Sequence, residues 1–173
     1  VNRILVSAQL VTVTTLASPD RLVAKAITIL DDTVLREQER GWDFNQDYDY
    51  PLTLAAGNFT IPSSPYTVLA IDVRPENSGG KDIVARDGKL YDKTNRTFTF
   101  TQTTIKTDIT WAIIFDNLPL VMQEYVIAVA ALKFATEVSV DPAISTQLRA
   151  DLMRAWQRAK QADSQQSSAS IYQ

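Results

Sequence analysis

One segment restricts the fold of this chain more than any other. From Leu118 to Val138 nearly every position is apolar: Val121, Met122, Tyr125, Val126, Val129, Leu132 and Phe134, with Ala128, Ala130, Ala131 and Ala135 between them. Asn117-Leu118-Pro119 is a start signal, so the segment reads as one helix running to about Val138. A helix apolar on nearly every face has to be covered on several sides. A bilayer is not the cover. The most apolar run, Val126 to Leu132, lies between Gln123, Glu124 and Lys133, and no window approaches the roughly 18 apolar residues a membrane span needs. The cover must come from other helices of this chain or from neighbouring subunits, and the alanines let either approach closely.

Other helices are legible on both sides of it. Asn2 to Ala8 is a short helical segment with Ile4, Leu5 and Ala8 apolar. Leu10 to Leu16 alternates apolar residues with Thr and fits extended chain or a structured loop. Ser18-Pro19-Asp20 then opens a helix of about twenty residues with a Ser cap and Pro in the first position. Its stripe is Val23, Ile27, Leu30 and Val34, flanked by Leu22, Ala26 and Ile29; Arg36, Glu37, Glu39 and Arg40 make a polar last turn, and Gly41 stops it. Asp141-Pro142 opens the last helix, apolar at Ile144, Leu148, Leu152, Ala155 and Trp156 and basic at Arg149, Arg154, Arg158 and Lys160. From Ser164 the Ser/Gln-rich composition predicts a polar tail that does not pack alone, yet it carries Ile171 and Tyr172.

The middle of the chain has a different texture. Strand-like runs occur at Tyr50 to Leu54, Thr67 to Val73, Ile83 to Arg86, Lys89 to Asp92, Arg96 to Thr101 and Ile105 to Phe115. Asp87-Gly88 is a two-residue hairpin turn, because both of its central positions need positive φ. Asn77-Ser78-Gly79-Gly80 reads as a flexible loop. In Thr97-Phe98-Thr99-Phe100 the aromatics alternate with hydroxyls, as in a half-buried strand. These runs predict an antiparallel sheet of about five or six short strands. The expected fold is α+β: a bundle of about four helices with an inserted antiparallel β-sheet domain. Residues 1–41 and 116–163 form the helical part, 42–115 the β-rich part and 164–173 the polar tail.

Composition narrows the chemistry. The 173 residues contain neither Cys nor His, which removes disulfides, thiolate and imidazole metal ligands, Cys nucleophiles and His bases. No cofactor or metal site is expected. A net charge of -3 and a pI near 4.9 do not suit tight binding to the outside of a duplex. The chain opens on Val1 and shows no charged-then-apolar leader, which fits a trimmed or internal start in a soluble protein made in the cytoplasm.

Three clusters offer weaker signals. Asp43, Asp47 and Asp49 lie among Trp42, Phe44, Tyr48 and Tyr50; paired carboxylates on aromatic platforms are what a glycosidase uses. The plainer reading is an acidic loop entering a sheet. With Asn45 the same acids hint at a calcium loop, but the required Gly and the closing Glu are missing. Gly79-Gly80-Lys81 lacks the spacing of a phosphate loop. Arg86, Lys89, Lys93 and Arg96 around Tyr91 resemble a single-strand nucleic-acid surface, and Asp82, Asp87 and Asp92 cancel most of its field. The functions open at this point are an assembly protein without catalytic activity, a carboxylate-based carbohydrate-active enzyme, and a nucleic-acid-binding module.

A resemblance separates them. Glu39-Arg40-Gly41-Trp42-Asp43-Phe44-Asn45, a helix ending in Arg-Gly-Trp followed by x-Phe-Asn, is similar to the tail tubular protein A family of short-tailed phages, the head-to-tail adaptors of podophages. Val1-Asn2-Arg3-Ile4-Leu5-Val6-Ser7, the hairpin Gly88-Lys89-Leu90-Tyr91-Asp92 and the helix entry Asp116-Asn117-Leu118-Pro119 follow the family's order over about residues 1 to 160. The short Ser/Gln-rich tail departs from it. The resemblance implies a virion structural protein at the head-to-tail junction, a homo-oligomeric ring of about twelve copies. Its helical part would face the portal protein and its β part the tail nozzle, a tail tubular B-like protein, while double-stranded DNA passes transiently through the ring and no membrane takes part. Arg40, Gly41, Trp42, Phe44, Asn45, Gly88, Tyr91 and Asp92 are then structural motif residues. Arg149, Arg154, Arg158, Ile171 and Tyr172 are candidate portal contacts, and Asp31, Asp32, Glu37, Glu39 and the Asp43 to Asp49 cluster are candidates for a channel lining.

Overall fold

A computed structural model describes residues 1–7, 21–64, 66–138 and 141–170. The expectations for Leu10 to Leu16, for the Ser18-Pro19-Asp20 cap and for Ile171 and Tyr172 lie outside the described residues. The chain divides into two units, one formed by Val1–Glu37 with Ile114–Gln173 and the other by Gln38–Ile113. The fold class is α+β, with helices and antiparallel sheets.

The first unit holds α1 (Asn2–Ser7), α2 (Arg21–Gln38, whose last residue already belongs to the second unit), α4 (Leu120–Glu137) and α5 (Pro142–Ser170). Helix α4 is covered as its composition demands. Ile4 and Leu5 of α1, Leu148, Ala155 and Ala159 of α5, and Val126, Ala130 and Phe134 of α4 itself are all buried, and α1 and α5 both pack on α4. Polar contacts join α4 to α2: Lys133 Nζ donates to Thr33 Oγ1 (3.2 Å) and Lys25 pairs with Glu137 (3.0 Å). Each large apolar side chain closed off in this way contributes about 1.5–3 kcal/mol.

Two features of this unit depart from the sequence reading. The last turn of α2 is not a solvated polar turn, because Glu37 and Gln38 are buried. Glu37 accepts a hydrogen bond from the Tyr125 hydroxyl (2.7 Å), so its carboxylate serves the interior of the unit rather than a channel wall. Nor does the last helix stop before Ser164: α5 runs 29 residues to Ser170, about 43 Å at the helical rise. A Ser/Gln/Ala sequence cannot form a core, but each added residue of an existing helix gains a backbone bond. Ser164 Oγ also returns a hydrogen bond to Lys160 O (2.9 Å).

Among the described residues the second unit contains five strands in two sheets rather than one. β1 (Gln46–Thr53), β5 (Thr104–Ala112) and β2 (Thr67–Asp72) form an antiparallel sheet in the order β1-β5-β2, and β3 (Ile83–Arg86) pairs with β4 (Lys89–Asp92). Leu52, Phe59, Val73, Ile83, Leu90, Phe100 and Ile105 make its core, with Phe59 and Phe100 edge to face at 5.2 Å. The β3–β4 turn is as expected, Asp87 and Gly88 having φ of 49° and 69°.

Arg96 to Thr101 is not a strand. Arg96 has φ 56°, Thr97 exchanges backbone hydrogen bonds with Asp92 (2.9 and 3.2 Å), and Thr99 N donates to Thr97 Oγ1 (3.0 Å). Phe100 N instead donates to Gly57 O (3.1 Å), and its ring enters the core. The stretch 77–80 is not a flexible loop either. Pro75–Ser78 form a helical turn, α3, capped by Gly79 in the left-handed region (φ 65°), the arrangement that Pro at the start and Gly past the end favour.

Candidate functional site

The segment Gln38 to Asn45 carries most of the motif read from the sequence. Helix α2 ends at Gln38, and Gly41 N returns to Gln38 O (3.0 Å) with Gly41 at φ 70°. This reversal requires glycine for its dihedral; a Cβ at Gly41 would also sit 2.5 Å from Gln46 Nε2, the end of a side chain that would have to shift. Trp42 is buried and starts a 3-10 turn, Asp43–Asn45, while Phe44 is half-buried and Arg40 exposed.

Asn45, 1% exposed, uses both ends of its amide. Its Oδ1 accepts from Trp42 N (2.8 Å), and its Nδ2 donates to Gln38 O (3.2 Å) and to Trp111 O (2.9 Å). Gln38 does the same just past the end of β5: Nε2 donates to Ile113 O and Oε1 accepts from Ile113 N, both at 2.8 Å. Strand β1 reaches only to Gln46, opposite Thr110. Beyond that point two side-chain amides take the place of the missing strand and bond the backbone of Trp111 in β5 and of Ile113 just past it. Gln38 and Ile113 are the first and last residues of this unit.

The acidic cluster is divided between the 3-10 turn, which holds Asp43, and β1, which holds Asp47 and Asp49. Asp47 accepts from Trp111 Nε1 (2.7 Å). Asp49, at φ 54° in a bulge, donates its N–H to Asp108 Oδ1 (3.1 Å) and faces Lys106 at 3.7 Å. Asp108 in turn holds Arg74 through two hydrogen bonds (2.7 and 3.1 Å), which raise the guanidinium's pKa further. Each described contact of Asp47 and Asp49 supports the sheet. Among the described residues no group of three or more acidic side chains is placed to hold a metal ion.

In the hairpin, Gly88 forms the turn, and Tyr91 has the Arg86 guanidinium over its ring (4.3 Å) and meets Phe98 edge to face (4.8 Å). Lys93 pairs with Asp82 at 2.5 Å. Asp92 is 1% exposed. Burial by itself would raise its pKa, but hydrogen bonds from the Asn95 backbone and side chain (2.9 and 2.8 Å), with Lys81 at 3.8 Å, outweigh it and hold the carboxyl below its ordinary range. Arg86, Lys93 and Lys81 thus have partners inside the unit.

In the helical unit α1, α4 and α5 line an open cavity of about 250 Å³. Its floor includes Ala128, Ala131, Leu148 and Ala155, and its rim holds Arg3, Glu124, Asp151, Arg154 and Arg158. Arg158 pairs with Glu124 across the helices (3.2 Å) and Arg154 with Asp151 along α5. Arg149 is exposed on the same helix and does not line the cavity. Composition did not reveal this cavity; the Ala128, Ala131 and Ala155 spacing was its one visible trace.

A family model described as tail tubular protein matches residues 1–169. The chain belongs to the tail tubular protein family of podophages. It is accordingly a structural protein of the phage tail and a component of the virion. A search of curated proteins gives no match. In this tail tubular protein Gly41, Trp42 and Asn45 shape the entry to the β unit, and Gly88, Tyr91 and Asp92 shape its hairpin. Among the described residues no helix is long and apolar enough to cross a membrane.

Proposed function

We propose that this chain is a head-to-tail adaptor, a non-catalytic ring of about twelve copies that joins the portal to the nozzle and forms part of the DNA ejection channel. The observation that carries the reading is the family match over residues 1–169. An acidic chain of pI about 4.9 supports it, since a passage through which DNA slides should not grip phosphates. In this reading the helical unit meets the portal through α5, with Arg149, Arg154, Arg158 and the terminal Ile171 and Tyr172 as contacts, and the β unit meets the next tail component.

The test is electron microscopy of the protein mixed with DNA-filled, tailless heads of its own virus. A ring of added density beneath the portal, with countable subunits, is the expected result. Bare portals at saturating protein would refute the adaptor role.

A further inference from the structure

The β unit carries charge of opposite sign on two opposed faces. Leu52 and Ile105 of the β1-β5-β2 sheet meet Ile83 and Leu90 of the β3–β4 hairpin in one core. The outer faces of the two sheets therefore look away from each other. The outer face of the larger sheet is acidic. Register places Asp72 beside Asp108 there. Asp108 holds Arg74 (2.7 Å), Asp49 faces Lys106 (3.7 Å), and Glu76 acts on the same Arg74 guanidinium. Four carboxylates thus stand against two cations, and Asp72 and Glu76 are exposed. Tyr48, 58% exposed, lies on this face with its ring 5.9 Å from the Arg74 guanidinium.

The outer face of the hairpin is basic. Arg86 and Lys89 are register partners beside the pair Val84 and Tyr91, and the contact of Phe98 with Tyr91 brings the segment of the exposed Arg96 alongside. Asp82 and Asp92 are taken by Lys93 and Lys81. Among the described residues no carboxylate pairs with Arg86, Lys89 or Arg96, which leaves three cations against Asp87 at the turn. Each face therefore has an excess of two charges, negative on the sheet and positive on the hairpin.

We infer that the basic hairpin face of one copy of this chain seats on the acidic sheet face of the next, around Tyr48. Complementary faces on opposite sides of one unit make a head-to-tail contact, and such contacts generate rings when the rotation closes. Hairpin on hairpin and sheet on sheet are both repelled, so the charges also fix the direction of stacking. An exposed tyrosine among charged pairs is a usual interface residue. A polyanion would suit the hairpin alone and leave the acidic face without a use; a second copy uses both. The assignment rests on the ring reading given above and names the surfaces that would join its subunits.

Charge reversal tests the seating. Arg86→Glu with Lys89→Glu reverses the hairpin face, and Asp72→Lys with Glu76→Lys reverses the sheet face; circular dichroism checks the fold of each chain. Either reversal should cut ring formation on tailless heads about tenfold. The chain with all four substitutions should recover to within about threefold of wild type, because its faces match again with the signs exchanged. Rings that form normally with either single-face reversal overturn the seating and leave the adaptor role standing. So does a folded four-substitution chain that fails to recover. Portals left bare by the wild-type protein would instead refute the adaptor role, and the seating is then read on the free chain. Carbodiimide joins Lys89 Nζ to a carboxylate as an amide and takes up the water released. In a mixture of unlabelled and isotope-labelled protein, a mixed-label product linking Lys89 to Asp72 or Glu76 supports the seating, and its absence overturns it.

Discussion

Gln38 and Ile113 meet as two peptide groups of adjacent strands would, the side-chain amide of one donating to and accepting from the backbone of the other at 2.8 Å in both directions. They are the first and last residues of the β unit, so one side chain holds the unit's entry to its exit. Gln38 is fully buried, and an unpaired amide or carbonyl there costs about 1–3 kcal/mol. Gln38→Met, which keeps the length and loses both bonds, should therefore destabilise the β unit by about 2–4 kcal/mol. Urea unfolding followed by Trp fluorescence checks this, and a loss under 1 kcal/mol would mean that packing rather than the amide holds the junction.

Gly41→Ala places a Cβ on a residue at φ 70° and 2.5 Å from the Gln46 amide. The Gln46 side chain can move aside, so the backbone is the main term, about 1–2 kcal/mol. Gly79→Ala is the comparison, since its φ is 65° and nothing lies within 4 Å of the added carbon. Thermal unfolding of both should show Gly41→Ala at least as destabilised as Gly79→Ala.

Asp92 gives the β unit an acid limit. Its folded pKa lies below the ordinary carboxylate value, so its contribution is fully present above about pH 4 and is lost as pH falls through the lower folded value. Asp92→Asn should lower stability at neutral pH and flatten the decline below about pH 4. An unchanged acid branch in denaturation measured from pH 7 to pH 2 would assign that decline to other carboxylates.

Tyr125→Phe removes the hydroxyl that donates to the buried Glu37 carboxylate. The expected cost is about 1–3 kcal/mol, confined to the helical unit. Far-ultraviolet circular dichroism during thermal unfolding should report it, while Trp111 fluorescence in the β unit keeps its midpoint.

Local pattern accounts for much of what could be read in advance. The α4 helix, the α2 stripe, the Asp87-Gly88 turn and the paired runs of β3 and β4 depend on residues within a few positions of one another. Where reading by pattern failed, nearby residues misled it. Thr97 to Phe100 alternates like a strand, but Thr97 pairs back to Asp92, Thr99 N bonds the Thr97 hydroxyl and Phe100 N bonds Gly57 O, so no ladder forms. Asn77 to Gly80 has loop composition, but Pro75 begins a helical turn and Gly79 ends it.

The sequence by itself determined the long helices and the main strands, the α+β class and, through Arg-Gly-Trp-x-Phe-Asn and its companions, the family. Apolar periodicity, caps and tight turns are short-range properties of the chain. Only the tertiary structure decided which polar side chains were to be buried: Gln38 against Ile113, 75 residues away, Asn45 against Trp111 at 66, and Glu37 against Tyr125 at 88. It also decided that three alanines and three arginines would share one cavity. A buried polar group is stable only when its partner is in place, and nothing along the chain near Gln38 or Glu37 announces a partner that distant.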